Sequence, residues 1–214
     1  MPPVKRKTIT QGLPSQNFDG RLTFVGGFSG QGKTSSVLAE LPDPFLFVCT
    51  DVSNPTVKKL PWVEDSDAGL QYVLDNPLKT MAVRCYNGNP DILSVCRDHR
   101  RAVCLDEIGN LFHSGPMMNE LLDYAREVRY KDGGVNVWAT SQRPACDVRP
   151  GIYFAARRIK WVGPLFDEKA LKVLFSHRSA NLNWKAFQND IGNLESYCWH
   201  EPNVSKSIYV VKDL

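Results

Sequence analysis

Residues 26–35 read GGFSGQGKTS, four glycines in ten residues followed by a lysine and a threonine, directly behind the apolar run RLTFVGG (21–27). Two readings compete. One is a flexible turn. The other is a cradle for the phosphates of a nucleotide, and Gly27-x-x-x-x-Gly32-Lys33-Thr34 fits the spacing G-x-x-x-x-G-K-[ST] in full. In that cradle the glycines let backbone N–H groups turn inward around phosphate oxygens. Lys33 reaches the β- and γ-phosphates, and the Thr34 hydroxyl meets Mg²⁺. The expected contact set is Gly27, Ser29, Gly30, Gln31, Gly32, Lys33, Thr34 and Ser35. The stretch KTSSVLAEL (33–41) reads as a helix whose positive end faces the same anion. A mere turn requires neither the strand before it nor the helix after it.

The remainder of the chain alternates strands and helices. FLFVCTD (45–51) is a continuous apolar run ending in aspartate, as expected of a strand covered on both faces. MAVRCYN (81–87), AVCLDE (102–107), VNVWATSQ (135–142) and RRIKWVG (157–163) read as further strands. Helices are expected over 91–101, with Asn89 or Asp91 as cap, and over 117–129, ended by Asp132-Gly133-Gly134. Others are expected over 167–176 and 184–190. Residues 52–80 are interrupted by prolines and give one helix near AGLQYVLDN. SYCWHE and KSIYVV fit a terminal hairpin, and residues 1–20 fit a loose basic arm. The pattern predicts an α/β fold with a mainly parallel sheet and helices on both faces, as one domain over 21–214.

A phosphate cradle needs a metal partner, and AVCLDE supplies one. Asp106 would emerge at the C-terminal edge of a central strand and hold the Mg²⁺ shell. Glu107 is then placed to take a proton from an attacking water. An ordinary strand-ending turn is the bland alternative, and it weakens once the cradle is present. The Asp-Glu pair favours hydrolysis over a kinase, where an acceptor substrate replaces water. No N-K-x-D guanine motif occurs. The third element, VNVWATSQRP (135–144), would bring Ser141 and Gln142 within reach of the γ-phosphate or the water. The cofactors expected are therefore ATP and Mg²⁺.

Composition sets only broad bounds. The 214 residues are 43% hydrophobic and 23% charged, with a net charge of +3, which neither demands nor excludes nucleic acid. Of the six cysteines none forms a CxxC pair, so a zinc ribbon is not expected. Cys49, Cys85 and Cys104 lie in apolar runs, as small buried hydrophobes do. No run approaches the roughly 20 apolar residues of a membrane span.

The loop GGFSGQGKTS, the AVCLDE strand and, above all, YAREVRYKDGGVNVWATSQRPACDVRPGIYFAARRIKWVG (124–163) resemble the FtsK–HerA superfamily of ring-shaped DNA-pumping ATPases. There an arginine-rich helix runs into a strand ending T-Q-R-P, and an arginine-containing strand follows. Here the ending is Ala-Thr-Ser-Gln-Arg-Pro, one residue longer, which leaves the phosphate sensor between Ser141 and Gln142, with Gln142 preferred. The resemblance implies the P-loop NTPase fold with an additional strand between the two nucleotide-binding strands. It also implies a homo-oligomeric ring, such as a hexamer, in which a neighbour's arginine completes each site. Arg129 matches that arginine best, and Arg158 is the second choice.

Within the superfamily the chain is similar to the genome-packaging ATPases of tailless icosahedral viruses with an internal membrane. That similarity implies translocation of double-stranded DNA, capsid or packaging-vertex partners, a membrane-protein partner without a span of its own, and a place in the virion and the host cytoplasm. Three alternatives stand beside it. They are an ATP-binding switch or virion-assembly factor that moves nothing, a filamentous-phage-type assembly ATPase, and a small-molecule kinase.

Overall fold

The computed structural model describes residues 6–9, 22–86, 89, 91–98, 102–130, 136–143, 148–156, 158–162, 196–200 and 208–212. The continuous apolar runs become its inner strands: β2 (Leu22–Gly26), β3 (Phe45–Cys49), β6 (Ala102–Leu105) and β7 (Val137–Ser141) are buried at every position. A strand reads this way when both sheet faces are covered. With β1 (Arg6–Ile9), β4 (Trp62–Glu64), β5 (Met81–Arg84), β8 (Arg158–Trp161), β9 (Ser196–His200) and β10 (Ile208–Lys212) they form one sheet. Its order is β1-β10-β9-β8-β2-β7-β6-β3-β5-β4. The strands from β8 to β4 are all parallel. The expected terminal hairpin is present as antiparallel β9 and β10.

Alternation along each strand divides the core into two layers. Phe24, Val48, Leu105 and Ala139 face one side, packed with Ile92 and Leu93 of α3 (Asp91–Asp98) and Leu121 and Tyr124 of α5 (Gly115–Tyr130). Val25, Phe47, Cys104 and Trp138 face the other, with Val37 of α1 (Lys33–Leu38). Each such large apolar side chain contributes about 1.5–3 kcal/mol by leaving water. Cys49, Cys85 and Cys104 are buried, as expected of small apolar residues, and so is Cys96.

Three features depart from the sequence reading. Residues 52–80 hold an edge strand, β4, as well as α2 (Asp67–Asp75). A three-residue strand beginning at the exposed Trp62 gives too short a pattern to read. Two short helices, α4 (Ile108–Leu111) and α6 (Pro150–Ala155), show no readable periodicity, each being shorter than two turns. Within the expected loose arm, Arg6–Ile9 form β1 and pair in parallel with β10, so these residues belong to the sheet rather than to an arm. Their β-branched Thr8 and Ile9 suit a pleated strand. Asn89 serves as the cap expected before α3, its Oδ1 accepting the Asp91 N–H at 3.0 Å. The helices expected over 167–176 and 184–190, and the turn at 132–134, lie outside the described residues.

This order places the strand feeding the glycine-rich loop, β2, and the strand feeding the acids, β6, on either side of β7. One additional strand thus separates the two. All three point their C-terminal ends to the same edge of the sheet, where open parallel sheets bind ligands.

Candidate functional site

The loop leaves β2 through Gly27. A Cβ there would sit 2.4 Å from the Val162 carbonyl oxygen, and its φ is 154°. Only glycine avoids that backbone clash. The contact is close because β8 is tied to β2, the Val162 N–H donating to Gly26 O at 2.9 Å. Gly30 and Gly32 have φ values of 77° and 85°, a left-handed conformation that glycine adopts without cost. Phe28 anchors the loop edge-on against Trp161, with ring centroids 5.7 Å apart. Gly32 is the N-terminal cap of α1, and its carbonyl accepts the Ser36 N–H at 2.8 Å.

Lys33 is only 5% exposed, unusual for a lysine. Its Nζ donates to Phe28 O at 3.1 Å and lies 3.1 Å from Glu107 Oε1. The ammonium is therefore fixed inside the curl of the loop and aimed at the acids. Beneath the loop, Lys160 of β8 is buried and pairs with Glu40 and Ser36 on the α1 side. Burial pulls the Lys160 ammonium below its ordinary pKa, and the Glu40 carboxylate opposes that shift.

Asp106 and Glu107 follow β6. Thr34 Oγ1 lies 3.5 Å from Asp106 Oδ2, and Thr140 Oγ1 donates to Asp106 Oδ1 at 2.7 Å. Burial raises the Asp106 pKa to about 6, partly offset by the Thr140 bond and reinforced by the neighbouring Glu107 charge. Glu107 adopts φ 55° and ψ 62°, left-handed for a residue with a side chain, at the start of α4. That conformation costs about 1–2 kcal/mol. It is held by three backbone bonds. The Glu107 N–H donates to Thr140 Oγ1 at 2.8 Å, and its carbonyl accepts the Asn110 and Leu111 N–H groups. Glu107 Oε2 accepts the Gln142 N–H at 2.9 Å.

These residues line one cavity of about 480 Å³, which takes in Ser29, Gly30, Gly32, Lys33, Thr34, Ser35, Asp106, Glu107 and Gln142. Gln142 opens onto it, whereas Ser141 is buried inside β7. Of the expected contact set, Gly27 and Gln31 shape the loop but are not among the lining residues. Arg129 falls in the last turn of α5 and Arg158 opens β8, and their side chains lie outside the described residues.

The far wall of the cavity lies outside the three sequence motifs. Cys49, Thr50, Asp51 and Asn54 at the end of β3, with Asn110 of α4, complete it. Asp51 accepts from the Ser53 N–H at 2.7 Å and the Ser53 hydroxyl at 2.8 Å, which holds its carboxyl below the usual range. The signal was present in the sequence: the run FLFVCTD ends in a carboxylate at the same edge as the other motifs. Thr140, whose hydroxyl meets the Asp106 carboxylate and the Glu107 N–H, carries no local signal that sets it apart from Ser141 and Gln142.

An Mg²⁺–nucleotide fits this donor set. Mg²⁺ is usually held by one or two carboxylates together with phosphates and waters rather than by an all-protein cage. Thr34 and Asp106 meet, and the half-buried Asp106 carboxylate faces the cavity. Among the described residues no cluster of three or more His, Cys, Asp or Glu is placed to hold a metal alone. No described helix is long and apolar enough to cross a membrane.

No family model matches the sequence, and no curated protein is similar to it in sequence. Solved structures are similar in fold. The DNA-packaging ATPase B204 of Sulfolobus turreted icosahedral virus superposes with a TM-score of 0.65 at 14% identity, over 92% of this chain and 98% of that one. The genome-packaging NTPase B204 of Sulfolobus turreted icosahedral virus 2, in complex with AMPPCP, gives 0.63 at 15% identity, over 91% and 98%. The conjugation coupling protein TcpA of pCW3, bound to ATPγS, gives 0.57 at 14% identity, and the chain spans 60% of its length. At such identities the likeness is one of fold. The cradle at the end of β2, the acids at the end of β6 and the strand between them are the marks of a P-loop NTPase fold of the additional-strand type.

Proposed function

We propose that this chain is an Mg²⁺-dependent ATPase of the FtsK–HerA superfamily that moves double-stranded DNA, as a genome-packaging motor does. The observation that carries the hydrolytic half is the meeting of Lys33, Thr34, Asp106 and Glu107 around one cavity. Gly30, Gly32 and the N-terminus of α1 would hold the phosphates, with Lys33 on the β- and γ-phosphates. Thr34 and Asp106 would hold Mg²⁺, which when bound offsets the charge developing on the transferred phosphoryl group. Glu107 would accept the proton of the attacking water, and Gln142 would sense the γ-phosphate. For this the Lys33–Glu107 contact has to open, since the phosphates compete for the same ammonium.

The DNA half is supported by the likeness to B204 and TcpA and by the Thr140-Ser141-Gln142-Arg143-Pro144 ending. A homo-oligomeric ring, capsid or packaging-vertex partners and a virion location follow from the same reading. In the ring, Arg129 or Arg158 would be supplied to the neighbouring site. The experiment is steady-state ATP hydrolysis with and without linear double-stranded DNA, across a range of protein concentrations. Stimulation by DNA, and activity per subunit that rises with protein concentration, are expected of a ring motor. Hydrolysis indifferent to both would leave an ATPase that moves nothing. Arg129→Ala subunits mixed into wild type should depress activity more than in proportion. A straight-line titration would remove the arginine in trans.

A further inference from the structure

Thr140 is fully buried on β7, on the sheet face shared with Trp138 and α1. A buried hydroxyl needs a partner, and this one has two that matter. It gives its proton to Asp106 Oδ1 at 2.7 Å and accepts the Glu107 N–H at 2.8 Å. A valine would fill the same volume and make neither bond. The register explains the reach. Leu105 lies opposite Ala139, so the next residue of β7 stands against the point where the chain leaves β6 and turns into the two acids. Glu107 turns there in a left-handed conformation, and two residues beyond Thr140, just past the end of β7, the Gln142 N–H grips its carboxylate at 2.9 Å.

We propose that Thr140 is a positioning residue that sets both acids of the site at once. It fixes the rotation of the Asp106 carboxylate, so that Oδ2 faces Thr34, and it pins the backbone of Glu107 so that its carboxylate points at Lys33. The inference rests on the ATPase reading of Asp106 and Glu107. It assigns the setting of those acids to the additional strand itself, through a side chain that does not line the cavity. Ser141 and Gln142 are then neighbours of the device rather than the device. The hydroxyl is required for its donor and acceptor together, so serine should serve and valine should not.

The test compares wild type, Thr140→Val and Thr140→Ser in two measurements. The first is hydrogen–deuterium exchange at the Glu107 amide, without nucleotide. Thr140→Val should speed exchange at Glu107 while the β7 and β6 amides stay protected, and Thr140→Ser should restore the slow rate. The second is ATPase kinetics. Thr140→Val should lower kcat by about 100-fold, the effect of misplacing a reacting group by roughly 1 Å, with the Kd for ATP changed little. Thr140→Ser should recover most of the rate. Unchanged Glu107 exchange in Thr140→Val would overturn the proposal whatever the activity. So would equal loss of kcat in the serine and valine variants, or a loss confined to ATP affinity. If wild type hydrolyses no ATP, the ATPase reading fails, and the exchange measurement still decides whether Thr140 sets the acids.

Discussion

Lys33 Nζ lies 3.1 Å from Glu107 Oε1, so the base of the cradle and the acid beyond it neutralise one another across the cavity. Both are largely buried, at 5% and 19% side-chain exposure, and such a pair is not a screened surface contact. Phosphates entering the cradle would take the lysine from the acid. Lys33→Ala should therefore abolish ATP binding. Glu107→Gln should bind ATP at least as tightly as wild type, because it no longer competes for the ammonium. Calorimetric titration with Mg²⁺-ATP checks both, and a Glu107→Gln protein that binds markedly more weakly would contradict the competition.

Gln142 has two separable parts. Its main-chain N–H holds Glu107 Oε2, and any residue but proline supplies that bond. Its side chain lines the cavity. Gln142→Ala should consequently leave ATP affinity nearly unchanged while slowing turnover. A large loss of affinity with an unchanged maximal rate, read from steady-state kinetics, would make the side chain a binding group instead of a sensor.

Lys160 and Glu40 form a buried pair between β8 and the end of α1, with 1% and 8% side-chain exposure. Removing one partner strands the other charge away from water. Lys160→Met should cost about 3–5 kcal/mol of stability in urea unfolding, and Lys160→Met combined with Glu40→Leu should recover most of it. A single variant as stable as wild type would show that Glu40 finds another partner or water.

Much of this arrangement was legible in the sequence, and the reasons for the rest are physical. The glycine-rich loop and the acids are local patterns flanked by continuous apolar runs, so β2, β6 and β7 could be named with their chemistry. β4 was not readable, because three residues of an edge strand show no period. The partnership of Lys160 with Glu40 spans 120 residues of chain, and no local signal marks it. Thr140 looked like one more polar residue in a strand ending. Only the register between β6 and β7 reveals that its hydroxyl meets both acids.

Burial also makes the fold sensitive to alkali. Desolvation raises the thiol pKa of Cys49 and of Cys96 from 9.0 to about 12, and pushes Cys104 well above 9.0. For Cys49 and Cys104 the nearby acids add to it. In the unfolded chain these thiols ionise near pH 9, whereas in the fold they keep their protons. The stability they support is therefore complete below pH 9 and declines as pH rises from 9 toward 12. Urea midpoints under reducing conditions at pH 8, 9, 10 and 10.5 should fall progressively above pH 9. A midpoint constant to pH 10.5 would contradict the burial of these thiols.

The cavity between β2 and β6 should hydrolyse ATP with Glu107 as the proton acceptor. Single-turnover hydrolysis of Mg²⁺-ATP, at enzyme concentrations where nucleotide is shown to be bound, measures this without interference from affinity or product release. Wild type should turn over, and Glu107→Gln, equally saturated, should do so at least ~100-fold more slowly, as the loss of a general base implies. Equal single-turnover rates in the two proteins would contradict the account, leaving Glu107 as a partner of Lys33 and the water to be activated by another group.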